Sequence, residues 1–189
     1  IIETENKNAV AIDPGSDFQR IKNLLDEHEL TLKKILLTHG HFDHIGAAHE
    51  ISAAYSAEVY IHEEDAPMLA SRTKSLADAI GSGQFNEIMK FTTVTNGDVI
   101  ILDELSFEVI HTPGHTRGGV CYKCGNALFT GDTLFKLSMG RTDFPGGSTA
   151  EIVRSLHKLV DSLPEETEVF PGHDASTTIG YEKRYNPFV

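Results

Sequence analysis

Basic residues are scarce in this chain. Its 189 residues hold 16 Lys and Arg against 28 Asp and Glu, a formal net charge of −12 with histidine neutral. A nucleic-acid partner wants a basic surface, so this balance argues against one. No run of about 18 apolar residues occurs, so no membrane span is expected. No leader pattern is visible, but the chain begins at Ile1 rather than Met, and a short stretch ahead of it is expected to be missing. Cysteine is nearly absent. Cys121 and Cys124 form a C-x-x-C pair, yet a zinc knuckle needs a second pair and a thioredoxin-type site opens a helix. This pair sits instead in a strand that runs into the turn Gly125-Asn126, so both cysteines are read as structural. Their scarcity fits a reducing cytoplasm. Repeats, linkers and low-complexity segments are also missing. One domain over residues 1–189 is expected, with 40% hydrophobic and 23% charged residues, as in ordinary soluble proteins.

What the chain does have is strand alternating with helix. Residues 9–12 read as a buried strand ending at Asp13-Pro14-Gly15, and Phe18, Ile21, Leu24 and Leu25 then recur at helical spacing. Residues 34–37 form the next strand, 45–56 an Ala-rich helix, 58–61 a strand and 63–70 a short helix. Residues 71–95 have no clear period and read as a mobile or helical excursion, a candidate lid. Strands follow at 99–102, 105–110, 119–123 and 127–130. Ser148-Thr149-Ala150-Glu151 is a capping box opening a helix whose Ile152, Leu156, Leu159, Val160 and Leu163 share a face. Residues 169–170 form a last short strand.

Three histidines and an aspartate fall within Thr38-His39-Gly40-His41-Phe42-Asp43-His44, directly after an apolar strand. Imidazole and carboxylate are the ligand set of a borderline metal such as Zn²⁺, with Fe and Mn close behind. In extended chain, residues i and i+2 point the same way, so His39 and His41 can reach one ion. Asp43 and His44 come after the chain turns and aim elsewhere. One short segment can therefore serve two ions. Downstream, His115 follows the Pro113-Gly114 turn, Asp132 follows Thr130-Gly131, and His173 follows Pro171-Gly172. Each lies just past a strand's C-terminal end, where open α/β folds gather their chemistry.

The set THGHFDH, HTPGHT, GDTLF and PGHD resembles the metallo-β-lactamase superfamily from about Asp13 to the C-terminus. Within it the nearest likeness is to glyoxalase II, the hydroxyacylglutathione hydrolases, and its short relatives. The resemblance implies an α/β fold, an αββα sandwich of two sheets with helices outside and the site at one edge. It implies two divalent metals, Zn²⁺ first, with Fe or Mn as alternatives. His39, His41 and His115 would hold one; Asp43, His44 and His173 would hold the other; Asp132 would bridge them. Asp13, Thr38 and Asp174 are expected to support the ligands, since a ligating imidazole needs a partner on its other nitrogen. His111 is read as a support for the ligands or as structural, and His28, His49, His62 and His157 as surface or helix residues.

The implied chemistry is attack by a metal-bridging hydroxide on a carbonyl, with Asp43 orienting that hydroxide and taking its proton. A thiolate leaves with little acid help, so the expected substrate is a small-molecule thioester such as S-lactoylglutathione. Lys136 and Arg141, shortly after Asp132, are candidates for a substrate carboxylate; the competing reading of Arg141 is an ion pair with Asp143. Full-length glyoxalase II enzymes carry a C-terminal helical domain that binds glutathione, and only 16 residues follow His173 here, so the short form is expected. The rival reading is a persulfide dioxygenase of the same fold, with one iron on His39, His115 and Asp132; Pro171-Gly172-His173 fits the hydrolases better. β-Lactamase, nuclease and non-catalytic readings rank below both.

Overall fold

The structure, a computed structural model, describes residues 1–79 and 85–189. It resolves into two compact units: Ile1–Val94 with Ile101–Leu105, and Thr95–Ile100 with Ser106–Val189.

The first unit is built on a five-stranded sheet in sequential order: β1 (Ile2–Glu3), β2 (Asn8–Ile12), β3 (Thr31–Leu36), β4 (Glu58–His62) and β5 (Thr92–Val94). β1 pairs antiparallel with β2, and β2 through β5 are mutually parallel. Parallel neighbours need helical crossovers, and the sequence supplies them. α1 (Phe18–Glu27) is capped by Asp17, whose side chain accepts from the Arg20 N–H. The Ala-rich helix expected over 45–56 is the shorter α3 (Ala48–Tyr55), and a single unexpected turn, α2 (Phe42–Ile45), precedes it across Gly46-Ala47. The sheet and its crossovers bury Ala9, Leu25, Leu32, Ile35, Ile51 and Ile61 completely. The parallel register sets Ile12 against Leu36 and Leu36 against Tyr60, so these strands all end at one edge. Asp13 and Thr38 follow directly there.

Three expectations change in this unit. β3 starts at Thr31, three residues early, because Thr31 and Leu32 still pair with Asn8 and Ala9 across a register shift. The short helix expected over 63–70 shrinks to one 3-10 turn, Ala66–Met68, with Pro67 at its start. His62 is not a surface residue: it ends β4 and is 5% exposed, its Nδ1 accepting from the Glu64 N–H. Of the candidate lid, residues 80–84 lie outside the described residues. Residues 71–79 form turns, tied down by the Phe42 N–H donating to the Ser75 carbonyl at 2.8 Å.

The six-stranded sheet, most of which belongs to the second unit, runs β13 (Thr177–Thr178), β12 (Glu168–Pro171), β9 (Ala127–Gly131), β8 (Val120–Cys124), β7 (Leu105–His111), β6 (Val99–Leu102). β7 and β8 are antiparallel, as are β8 and β9, so β7 and β9 share a direction; β12 is parallel to β9. The C-terminal ends of β7, β9 and β12 therefore meet one edge. A small hairpin, β10 (Leu134–Phe135) and β11 (Ser138–Met139), follows β9. α4 (Thr149–Ser162) begins at the expected cap, Ser148 accepting from the Glu151 N–H. Its Leu156, Leu159 and Val160 bury Cys121, Leu128 and Val169 on one face of the sheet. β10, β11, β13 and the closing helix α5 (Ile179–Tyr185) were not expected; each strand is two residues long, too short to show a period. Both cysteines are free thiols on β8, and burial pushes the Cys121 thiol up to about 11, as a packing residue would be. Among the described residues no helix is long and apolar enough to cross a membrane.

Candidate metal centre

The donors in the first unit are organised by one carboxylate. Asp13 leaves β2 in a left-handed conformation, φ 45°, and its side chain is only 10% exposed. Its Oδ1 accepts from the Thr38 N–H at 2.7 Å. Its Oδ2 accepts from the Thr38 hydroxyl at 2.5 Å and from His44 Nδ1 at 2.9 Å. The Thr38 hydroxyl has one proton, and Asp13 takes it, so the 3.1 Å contact of Thr38 Oγ1 with His39 Nδ1 has the imidazole as donor. Both histidines are thereby protonated at Nδ1, which leaves the lone pair on Nε2 for a ligand role. His39, His41 and His44 are buried, and the His39 ring meets His41 edge-on at 4.8 Å and His44 at 4.1 Å between centroids. His41 is extended, φ −71° and ψ 148°, as the sequence spacing required. Asp13, His39 and His44 each offer a ligand atom within 4.8 Å of the others. Asp43 Oδ2 stands 3.8 Å from His44 Nε2, on a side chain that is half exposed.

In the second unit the donors arrive from three separate strand ends. Pro171 pairs with Gly131 across the parallel β9–β12 ladder, and the Gly172 N–H donates to the Gly131 carbonyl at 2.8 Å. Asp132 and His173, one residue further along each strand path, therefore emerge side by side. His173 Nε2 lies 3.7 Å from Asp132 Oδ1, and His115 Nε2 lies 3.5 Å from Asp132 Oδ2. His115 Nδ1 donates to the Arg141 carbonyl at 2.7 Å, which again bares Nε2. These spacings fit a metal. At bond lengths of 2.0–2.1 Å, two ligands on a tetrahedral Zn²⁺ stand about 3.4 Å apart, longer than a good hydrogen bond. The two oxygens of Asp132 each face a different imidazole, an arrangement in which one carboxylate could serve two ions.

Each unit also brings a glycine against the backbone of one of these aspartates. A Cβ on Gly15 would sit 1.7 Å from the Asp43 carbonyl oxygen, and one on Gly140 1.8 Å from that of Asp132. Neither position admits a side chain without moving a donor.

The remaining candidates divide. Arg141 is paired with Asp143 through Nε at 2.7 Å and Nη2 at 2.6 Å, and lies 3.9 Å over the Phe144 ring. That hydrogen bond holds the Asp143 carboxyl down to about 2. The pair is exposed on both sides, and the carbonyl of Arg141, rather than its guanidinium, reaches His115. Lys136 lies 5.7 Å over the Tyr181 ring. Asp174 is exposed in a left-handed conformation, φ 68°, and the structure brings it to no imidazole among the described residues. The ring of His111 is bonded to the Arg117 carbonyl at 2.9 Å. The Arg141 carbonyl escaped sequence reading because any residue could supply it.

Comparison with known proteins agrees with this geometry. The family model of the metallo-β-lactamase superfamily matches residues 1–173. The chain is 35% identical to hydroxyacylglutathione hydrolase GloC of Haemophilus influenzae, over 100% of this chain and 91% of that protein. Among solved structures it resembles BLEG-1 B3 metallo-β-lactamase, with a TM-score of 0.92 and 37% identity over 99% of this chain and 91% of that one. TTHA1623 in a di-iron-bound form gives 0.85 and 38% over 94% and 88%. ETHE1 from Myxococcus xanthus gives 0.82 and 34% over 98% and 76%. With the fold, the strand-end histidines and aspartates and these likenesses in agreement, the chain belongs to the metallo-β-lactamase superfamily.

Proposed function

We propose that this chain is a metal-dependent hydrolase that cleaves small-molecule thioesters of the S-acylglutathione type. The observation that carries this reading is Asp132, whose two oxygens each face a separate imidazole Nε2 at 3.5 and 3.7 Å. The family resemblance assigns the ligand role to His39, His41, Asp43 and His44 in the first unit and to His115, Asp132 and His173 in the second. Metals bound there supply an acidified water and a Lewis acid for a carbonyl oxygen. Asp43 is the half-exposed carboxylate of the set, and it would orient the acidified water and take up its proton. Asp13 and the Arg141 carbonyl keep three imidazoles in one tautomer, so no ring has to turn during the reaction. The likeness to GloC supports the thioester class, and the di-iron form of TTHA1623 keeps iron beside zinc as the metal.

The test is thiol release from S-lactoylglutathione by the purified protein, with metal content measured on the same sample. The expected result is turnover that chelation removes and metal restores, at close to two ions per chain. Thiol-dependent oxygen uptake at one iron per chain would replace this reading with a persulfide dioxygenase, the alternative favoured by the likeness to ETHE1. Opening of a β-lactam ring with no thioester cleavage would replace it with a lactamase.

A further inference from the structure

Beyond β3 the ligand segment has no strand to lean on. The Leu37 N–H still donates to the Tyr60 carbonyl at 2.9 Å, but residues 38–41 belong to no strand. Thr38 and Gly40 are buried there, so their N–H groups need acceptors inside the protein. Three alternate N–H groups find such acceptors. Thr38 donates to Asp13 Oδ1 at 2.7 Å, Gly40 to Asp65 Oδ2 at 3.3 Å, and Phe42 to the Ser75 carbonyl at 2.8 Å. His41 stands between the second and third of these bonds, and its own carbonyl accepts from the His44 N–H at 3.0 Å.

The middle acceptor is the unexpected one. Asp65 is 0% exposed. It occupies the cap position of the 3-10 turn Ala66–Met68, where an aspartate ordinarily bonds the turn's own N–H groups. Its side chain makes no cap bond and reaches Gly40 instead. Burying a carboxylate is costly unless donors or a cation offset it, so packing alone does not account for this residue. The turn that carries it also fits closely against the ligand segment. A Cβ on Gly40 would stand 2.5 Å from Met68 Cβ and 2.8 Å from its Sδ, so only glycine lets the two meet.

We propose that Asp65 is a positioning residue of the metal centre: through the Gly40 N–H it fixes the backbone from which His41 presents its imidazole. Asp13 secures His39 and His44 at their rings, whereas Asp65 secures the main chain beside His41. The inference rests on the ligand role of His41 and not on the identity of the substrate.

The experiment strips the purified protein of metal and titrates it with Co²⁺. Affinity is read by competition with a chelating dye, and ligand geometry by the visible absorption of the bound cobalt. Asp65→Ala is expected to weaken cobalt binding about 10- to 100-fold and to shift the absorption band. Asp65→Asn keeps an oxygen for Gly40 and should stay within about threefold of the wild type, with an unshifted band. Leu25→Ala truncates a fully buried residue of the same unit; it should lower the melting temperature and leave affinity and band unchanged. If Asp65→Ala does not fold, Asp65→Leu repeats the test with a side chain of similar size and no acceptor. An unchanged affinity and band in the Ala or Leu variant would overturn the inference. So would an equal loss in Asp65→Asn, which would assign the effect to charge, or in Leu25→Ala, which would assign it to general stability. A wild type that binds no cobalt would remove the ligand assignment and the inference with it. Thioester turnover plays no part in these readouts, so a different substrate would leave the result standing.

Discussion

The two units contribute metal-ligand candidates in different ways. The first supplies four from a single segment, residues 39–44, and braces two of its histidines through one buried carboxylate, Asp13. The second supplies three from the ends of three strands, β7, β9 and β12, and braces them with backbone: the Arg141 carbonyl behind His115 and the Gly131–Gly172 hydrogen bond beside Asp132 and His173. A contiguous set is cheap to order, because a few residues fix all its donors, but it concentrates its dependence on one side chain. A dispersed set spreads that dependence over a sheet whose register is fixed by a buried core. Removal of a supporting side chain should therefore hurt the first unit, whereas the second should respond to loss of its ligands or to a change that moves its backbone.

Asp132→Ala is expected to have the largest effect. It removes the carboxylate facing both His115 and His173, and kcat/KM should fall by more than about a thousandfold with loss of bound metal. Metal analysis alongside the assay checks it; full metal content with retained activity would end the shared-ligand assignment. Next come the two glycines. Gly15→Ala and Gly140→Ala each force a carbonyl aside, those of Asp43 and Asp132. Each should cost about 1–3 kcal/mol in denaturant unfolding and about a hundredfold in activity, since displacing a donor by an ångström is enough. A difference of more than tenfold between them would show that one unit's donors matter more to the reaction.

Asp13→Ala tests the concentrated support directly. It strips the acceptor from His44 Nδ1 and Thr38 while leaving every proposed ligand in place. Metal affinity, read by competition with a chelating dye, should weaken about 10- to 100-fold. Arg141→Ala, which keeps the carbonyl behind His115, should leave that affinity unchanged. Comparable losses in both variants would erase the contrast between the units.

Two smaller effects probe the sheets behind the ligands. Cys121, with burial holding its thiol up near about 11, should resist a thiol reagent at neutral pH while half-buried Cys124 reacts. One thiol per native chain and two in denaturant is the expected count; two in the native chain would mean the core under β8 is open. In the first unit, a hydrogen bond from Lys34 holds the Glu58 carboxyl below its ordinary value of 4.5. A depressed carboxylate stabilises the fold above that pH and loses its contribution as pH falls through the lowered value. The Glu58 side chain is 60% exposed, so the loss should be under about 1 kcal/mol, and Glu58→Gln should flatten that part of the stability curve.

The short segments explain where reading the chain alone stopped. β2, β3, β4, β7, β8 and β9 carry enough alternating or continuous apolar residues to announce themselves, and α4 carries a cap and a complete apolar face. β10, β11 and β13 have two residues each and exist only because a partner strand is present. His62 was misplaced because burial at a strand end leaves no mark in composition. Among the site residues, the charge of Arg141 left two readings open, a substrate group or an ion pair with Asp143, and the structure makes the ion pair.

Local chemistry chose the ligand types and set them beside Gly and Pro turns at strand ends, because imidazoles, carboxylates and tight turns act over a few residues. Which donors became neighbours was decided over longer range. Parallel pairing of β9 with β12 put Asp132 next to His173, and pairing of β2 with β3 put Asp13 under both His39 and His44. Those adjacencies depend on strand register, and register is the joint outcome of a buried core, so no stretch of chain carries it alone.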